Sequence, residues 1–328
     1  MTVLYRELAI DLNLDGLQRR LVARAHGPRR EEVEGAARVR IELAREFQDV
    51  FRHHHEELAS RRDAPGSAAM DRLEAIGQEL TAALLTADVA ALYRAARDRL
   101  VAGEGLRLRL RMSQDELLAL PWELLRDPDK GTFLATSPST AIVRHPLARV
   151  APPVAGPDQA PLRVVAFGAA PAEHSPIDVE AERRMLEEMF DGLSDPAWVD
   201  FVWARGQTAE SLRGALHERR CHILHLAAHG VVDSRGRGAL VVADERGRAR
   251  ALGASQIASI YEAHPELRLV VLNACHGAEP GHSRSVASML LGAGVSAVIA
   301  MQGAIRDAAA RQFSKTLYER LIAGAPIA

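Results

Sequence analysis

A histidine and a cysteine each close a short apolar run in this chain. One run is His222-Ile-Leu-His-Leu-Ala-Ala-His229-Gly230, and the other is Leu269-Val-Val-Leu-Asn-Ala-Cys275-His276-Gly277. A thiolate is a strong nucleophile, and a neighbouring imidazole takes the thiol's proton or holds the thiolate as an ion pair. Acyl transfer also needs donors for the developing oxyanion, and backbone N–H groups serve well. Gly230 leaves its amide unhindered, and the amide of Cys275 is a second candidate. His229 as base, Cys275 as nucleophile and the Gly230 and Cys275 amides as oxyanion donors therefore make a complete set. Spacing alone also allows a plainer reading, in which the cysteine fills a core and the histidine is hydrogen-bonded at a strand end.

Such a pair meets only if two neighbouring strands present it. From residue 162 onward the pattern alternates strand and helix: strands over 162–168, 199–203, 222–228, 269–274 and 296–301, and helices over 178–190, 208–219, 254–262, 283–291 and 307–322. Residues 239–243 and 249–252 flank a turn at Arg246-Gly247 and read as a hairpin. Strands alternating with helices predict a mostly parallel sheet of about six strands covered on both faces. In open α/β sheets, ligands gather beyond the carboxyl ends of the strands, where His229 and Cys275 fall.

The first 150 residues read differently. Stretches at 4–12 and 21–25, split by Asn13-Leu-Asp-Gly16, form a hairpin pattern. Apolar residues at helical spacing predict a long amphipathic helix over 30–60 and further helices over 68–85 and 88–100. Strict alternation over 106–112 marks a half-buried strand, and 141–144 another; between them lies Leu120-Pro-Trp-Glu-Leu-Leu125, whose Trp122 reads as a core anchor. Residues 151–161 are rich in proline and form the clearest linker.

Composition narrows the function classes. The 328 residues suffice for two domains, and 48% are hydrophobic, enough for large cores. The 41 basic and 43 acidic side chains nearly balance, which points to neither nucleic acid nor an anionic membrane surface. All the basic residues but Lys130 and Lys315 are arginine, a bias that fits genome composition better than function. Two cysteines, Cys221 and Cys275, imply no disulfide framework and fit a reducing cytoplasm. The N-terminus lacks the pattern of a signal peptide, and no apolar run is long enough to predict a membrane span.

The motifs together resemble the CHAT domain family, caspase-like proteins of bacteria often fused to TPR repeats. The resemblance rests on the His229-Gly230 and Ala274-Cys275 segments and on Gly238-Ala-Leu-Val-Val-Ala-Asp244. It rests also on Ser285–Ala300, the helix over 307–326 and Leu120-Pro-Trp-Glu-Leu-Leu125; together these cover about residues 70–328. It implies an α/β, caspase-like three-layer sandwich with a mostly parallel sheet, preceded by an α-rich N-terminal region with a few strands. Three segments follow: 1–150, a helical or pseudo-caspase-like region; 151–161, a linker; and 162–328, the catalytic domain. It implies a cysteine endopeptidase of a bacterial signalling or defence pathway, with His229 and Cys275 as the dyad, gated by a partner, a ligand or a fused sensor domain. No metal or cofactor is implied. His276 departs from the small residue or threonine that relatives often carry after the cysteine. The end at Ala328 falls short of a further helix that many relatives have, and reads either as a truncation or as one module of a larger protein.

Other residues weigh in less. In related enzymes the loops after the first strand and after the histidine help to build the S1 pocket. Here these loops hold Glu173, Asp178 and Asp233, and an acidic pocket favours arginine or lysine at P1; Asp178 also stands where a helix cap is expected. His53-His-His55 cannot ligate one ion together, because consecutive helical positions point to different sides. His222, His225 and Cys221 read as structural. A partner-binding scaffold on the same fold remains the alternative to an enzyme. A nucleotide-binding domain is disfavoured, because no glycine-rich phosphate fingerprint follows the 162–168 strand.

Overall fold

The computed structural model describes residues 3–15, 20–27, 31–50, 67–147, 161–174, 177–193, 198–218, 220–232, 238–273, 285–302 and 307–324. The chain divides into two compact units, residues 1–148 with 320–328, and residues 149–319. All but the last residue of the proline-rich segment 151–161 lies outside the described residues.

The first unit is built on a five-stranded mixed sheet in the order β3-β2-β1-β4-β5, with β1 Leu4–Asp15, β2 Arg20–His26, β3 Glu32–Arg38, β4 Glu104–Met112 and β5 Thr140–Pro146. β1, β2 and β3 form an antiparallel meander, while β4 runs parallel to both β1 and β5. The alternation expected for 106–112 is literal. Leu106, Leu108, Leu110 and Met112 are buried beside Leu8, Ile10 and Leu12. Arg109 and Arg111 lie on the other face and pair across β1 with Glu7 and Asp11, the cross-strand pairing that stabilises an exposed sheet face.

Three helices cover the apolar face: α1 at 43–50, α2 Ser67–Leu84 and α3 Ala87–Asp98. β3 corrects the helix expected over 30–60. Its residues alternate between exposed and half-buried, and Glu32–Arg38 pair residue for residue with β2. The alanines that satisfy a helical period satisfy a period of two equally well, and pairing to an existing sheet decides between them. Helix begins only at residue 43.

The Pro-Trp-Glu segment closes this core. After α4 (Asp115–Ala119), Trp122–Leu124 form a 3-10 turn, and Trp122 is fully buried with its indole N–H donating to the Leu117 carbonyl at 2.8 Å. The turn lies so close to α2 that a Cβ on Gly77 would stand 2.3 Å from the Leu124 carbonyl oxygen, so only glycine fits there.

The second unit holds a seven-stranded sheet of β6 Leu162–Ala169, β7 Val199–Trp203, β8 Ile223–Val232, β9 Gly238–Ala243, β10 Ala249–Gly253, β11 Leu269–Asn273 and β12 Ala297–Ala300. Five of these run parallel in the order β7-β6-β8-β11-β12. The hairpin β9–β10 joins antiparallel to the outer half of β8. The connecting helices are α5 Val179–Asp191, α6 Ala209–Glu218, α7 Ala254–Ala263 and α8 Val286–Ala293, and α9 Asp307–Ile322, of which residues 307–319 belong to this unit, follows β12. The expected threonine cap is present: Thr208 Oγ1 accepts from the Ser211 amide at 3.1 Å. A Cβ on Gly168 would fall 2.2 Å from Val179 Cγ1 and 2.6 Å from Trp203 Cζ2. Glycine is therefore what lets the start of α5 and the end of β7 close over β6.

Among the described residues no single helix is long and apolar enough to cross a membrane, and none of their His, Cys, Asp and Glu side chains group into a metal site. The segment His53-His-His55 lies outside the described residues.

Candidate active site

Topology decides where a site can form in the second unit. From β6 the chain crosses through α5 to β7 on one side, then through α6 to β8 on the other. The direction of winding reverses between β6 and β8, and beyond their carboxyl ends such a reversal opens a crevice. A pocket lies there, lined by Asp178, Glu182, His229, Asn273 and Arg311 among others.

His229 does not end its strand, as the sequence pattern suggested. β8 continues to Val232, because the hairpin takes over as its neighbour. Residues 223–227 pair with β11 and 223–228 with β6, both in parallel, and 229–232 pair antiparallel with β9, His229 opposite Val241 and Gly230 opposite Leu240. His229 is thus the first residue after the change of partner. It is half-buried, and its ring stacks on that of His174, with centroids 5.3 Å apart and planes 29° from parallel.

His174 belongs to the loop after β6, and nothing in the sequence pattern singled it out. The same loop is tied to the hairpin by Glu173, whose carboxylate accepts from the Ala249 amide at 2.7 Å. Glu173 therefore anchors the loop that carries His174. Asp178 lines the pocket and also caps α5, accepting from the Ala181 amide at 3.0 Å. Asp233, Cys275 and His276 lie outside the described residues. What is described is the strand that leads to the cysteine. In the ladder between β8 and β11, Asn273 stands opposite Ala227, two residues before Cys275 on one strand and two before His229 on the other.

Beneath the pocket sits a carboxylate that the sequence reading missed. Glu182 of α5 is 6% exposed. Its oxygens accept from His225 Nε2 at 3.0 Å, Asn273 Nδ2 at 2.6 Å and Ser314 Oγ at 2.9 Å. His225 reaches the Tyr318 hydroxyl with its other ring nitrogen at 3.1 Å. Burial pushes the Glu182 carboxyl up, but the hydrogen bond and charge of His225, with Asn273 and Ser314, hold it below its ordinary value. The signal was present in the sequence: a histidine and an asparagine at inward positions of buried strands must find partners.

The structural reading of the other strand residues fits what is described. His222 Nδ1 accepts from the Arg163 amide at 3.0 Å, which requires that nitrogen unprotonated. Burial, then Arg268 and Arg163, keep the imidazole below its ordinary value. Cys221 is fully buried, its thiol donates to the Ile223 carbonyl, and burial pushes it up to about 12, so it is protonated and inert at neutral pH.

These shifts give the second unit a pH dependence of definite sign. A histidine kept neutral by the fold takes up its proton more readily when unfolded, so stability is lost as pH falls below about 6.5. A carboxylate with a lowered value adds stability that is present above its unfolded value of about 4.3 and is lost as pH falls through its folded value. Both act in the same direction. The melting temperature of this unit is expected to fall between pH 7.5 and pH 5, and His222→Gln should flatten that slope. A melting temperature that rises on acidification would contradict the account.

With this geometry in place, comparison with known families is decisive: the model of the CHAT domain matches residues 71–328. The chain belongs to the CHAT domain family. The match begins within α2 and so takes in most of the first unit as well as the whole of the second. No curated protein matches the chain. CHAT domains are part of a caspase-like, peptidase-related clan, and the mostly parallel sheet of this CHAT protein, with its helices, is consistent with a caspase-like sandwich.

Proposed function

We propose that this CHAT protein is a cysteine endopeptidase whose dyad is Cys275 and His229. Cys275 attacks the scissile carbonyl, His229 accepts the thiol proton and returns one to the leaving amine, and the Gly230 and Cys275 amides hold the oxyanion. Water then hydrolyses the thioester. The observation that carries this reading is the register of β8 against β11, Asn273 opposite Ala227. Two residues of chain span at most about 7 Å, and neighbouring strands lie about 4.8 Å apart. The register supports the reading because the nucleophile and the imidazole each follow a paired position by two residues, at the same ends of neighbouring parallel strands.

Family membership supports a peptidase-related fold. The pocket beside His229 supplies a place for a side chain, and Asp178 on its wall favours a basic P1 residue, with Glu173 and Asp233 from the adjoining loops. A bacterial signalling or defence role in the cytoplasm, with activation by a partner or a fused sensor, belongs to the same proposal. One observation favours the alternative, a scaffold that binds a partner without cleaving it: Glu173 and Asp178 are both engaged within the fold, by the Ala249 and Ala181 amides.

A panel of peptidyl electrophiles differing at P1 separates the two. The enzyme reading expects covalent labelling at Cys275, fastest with arginine or lysine at P1, and none at the buried Cys221. Failure of every peptide to label Cys275, with the protein folded, leaves the scaffold.

A further inference from the structure

Glu182 has no part in the chemistry just proposed, yet it contacts both β8, which carries His229, and β11, after which Cys275 follows in the sequence. From α5 it accepts from His225 on β8, from Asn273 on β11 and from Ser314 on α9. Both of its oxygens are occupied, since Asn273 Nδ2 also lies 2.6 Å from the second. Side chains alternate along a strand, so His225, Ala227 and His229 share one face of β8. Asn273 stands opposite Ala227 and two residues before Cys275.

We propose that Glu182 is a positioning residue for the dyad, its buried carboxylate clamping β8 to β11 so that the side chains beyond the clamp meet at a fixed separation. This rests on the reading of Cys275 and His229 as a catalytic pair. The carboxylate does not touch the scissile bond, because each of its oxygens is already bonded within the protein. The charge is what makes the clamp effective. Hydrogen bonds to an ionised acceptor are shorter and stronger than neutral ones, and one carboxylate can take several donors at once. A glutamine in the same place accepts through one oxygen only and turns an N–H₂ towards donors that need an acceptor. The lowered value of the carboxyl fits an ionised clamp at neutral pH. Tyr318, fully buried, backs His225 from the far side, so the histidine ring is held at both nitrogens.

Small displacements of reacting groups carry large rate penalties, about 100-fold for a misplacement of 1 Å. The test uses the full chain and the best peptide substrate from the electrophile panel. Glu182→Gln is expected to lower kcat roughly 10- to 100-fold with KM within about threefold, at a temperature well below melting. Alkylation of Cys275 by iodoacetamide, which needs no peptide site, should slow in parallel, since the thiol loses the imidazole that activates it. Should Glu182→Gln fail to fold, Asn273→Ala cuts the β11 arm of the clamp without stranding a charge and carries the same expectation. Ser314→Ala, which removes only the α9 arm, should leave both rates within about threefold of the parent. A folded Glu182→Gln or Asn273→Ala protein with a lower melting temperature but unchanged kcat and alkylation rate would overturn the clamp and leave a merely structural carboxylate. A parent protein that neither cleaves nor alkylates at Cys275 would instead overturn the dyad itself, and the clamp with it.

Discussion

Replacing Cys275 by alanine is expected to lower peptide cleavage by on the order of 10⁴-fold or more, the scale on which loss of a nucleophile acts when the remaining groups still bind substrate. The melting transition of the second unit should stay within a few degrees of the parent. Cys221→Ala is the internal control with the opposite pattern. That thiol is fully buried, hydrogen-bonded to Ile223 and protonated at neutral pH. Its loss leaves cleavage intact and costs about 1 kcal/mol of stability, the usual scale for a small core deletion. His229→Ala should match Cys275→Ala in rate, because two groups that act as one nucleophilic unit are not additive; the double variant should be no slower than either single one. Cleavage that survives in Cys275→Ala, after purification free of contaminating peptidases, removes the enzyme reading altogether.

The second large effect lies in the other unit. Trp122→Ala is expected to destabilise the first unit by about 3–5 kcal/mol, the range for truncating a large buried aromatic residue. Two losses combine. The indole is fully buried in the same apolar cluster as Leu117, Leu120 and Leu125, so its removal leaves a void in that core. The hydrogen bond to the Leu117 carbonyl, which fixes α4 against the 3-10 turn, goes as well. Trp122→Phe should recover most of the packing and none of the hydrogen bond, and so fall between. Against a typical domain stability of about 5–15 kcal/mol, the alanine variant brings the first unit near its threshold. Urea unfolding followed by circular dichroism measures this directly, and a shift below about 1 kcal/mol would show that the segment is peripheral to the core.

Much of the second unit was legible because strong periodicity and turn chemistry agree there. β7 at Val199–Trp203 and α9 at Asp307–Ile322 fall where the pattern put them. The Arg246-Gly247 turn is real: Gly247 adopts φ +77° and Asp244 accepts from the Arg246 and Arg248 amides. The failures have physical causes. β3 was hidden because glutamate, alanine and arginine fit a helix as well as an edge strand, and only pairing with β2 selects the latter. β8 was cut short because periodicity reads burial, and the glycine after His229 looks like an end when the strand is merely changing neighbours.

At the site, the sequence pointed to His229 and to the strand that precedes Cys275. It did not point to His174, whose stacking depends on a loop trajectory that no period encodes. Glu182 was overlooked for a different reason. On a helix rich in acidic residues, the one inward carboxylate looks like its solvated neighbours until the facing His225 and Asn273 are considered together.

One feature of β8 reaches beyond the chemistry. Sliding a strand by a single residue turns every side chain to the opposite face of its sheet. β8 is interlocked in two ladders of opposite sense, parallel on its inner half and antiparallel on its outer half. A slip of one residue would have to break both at once. The imidazole at their junction is thereby denied the commonest way for a strand to lose its place.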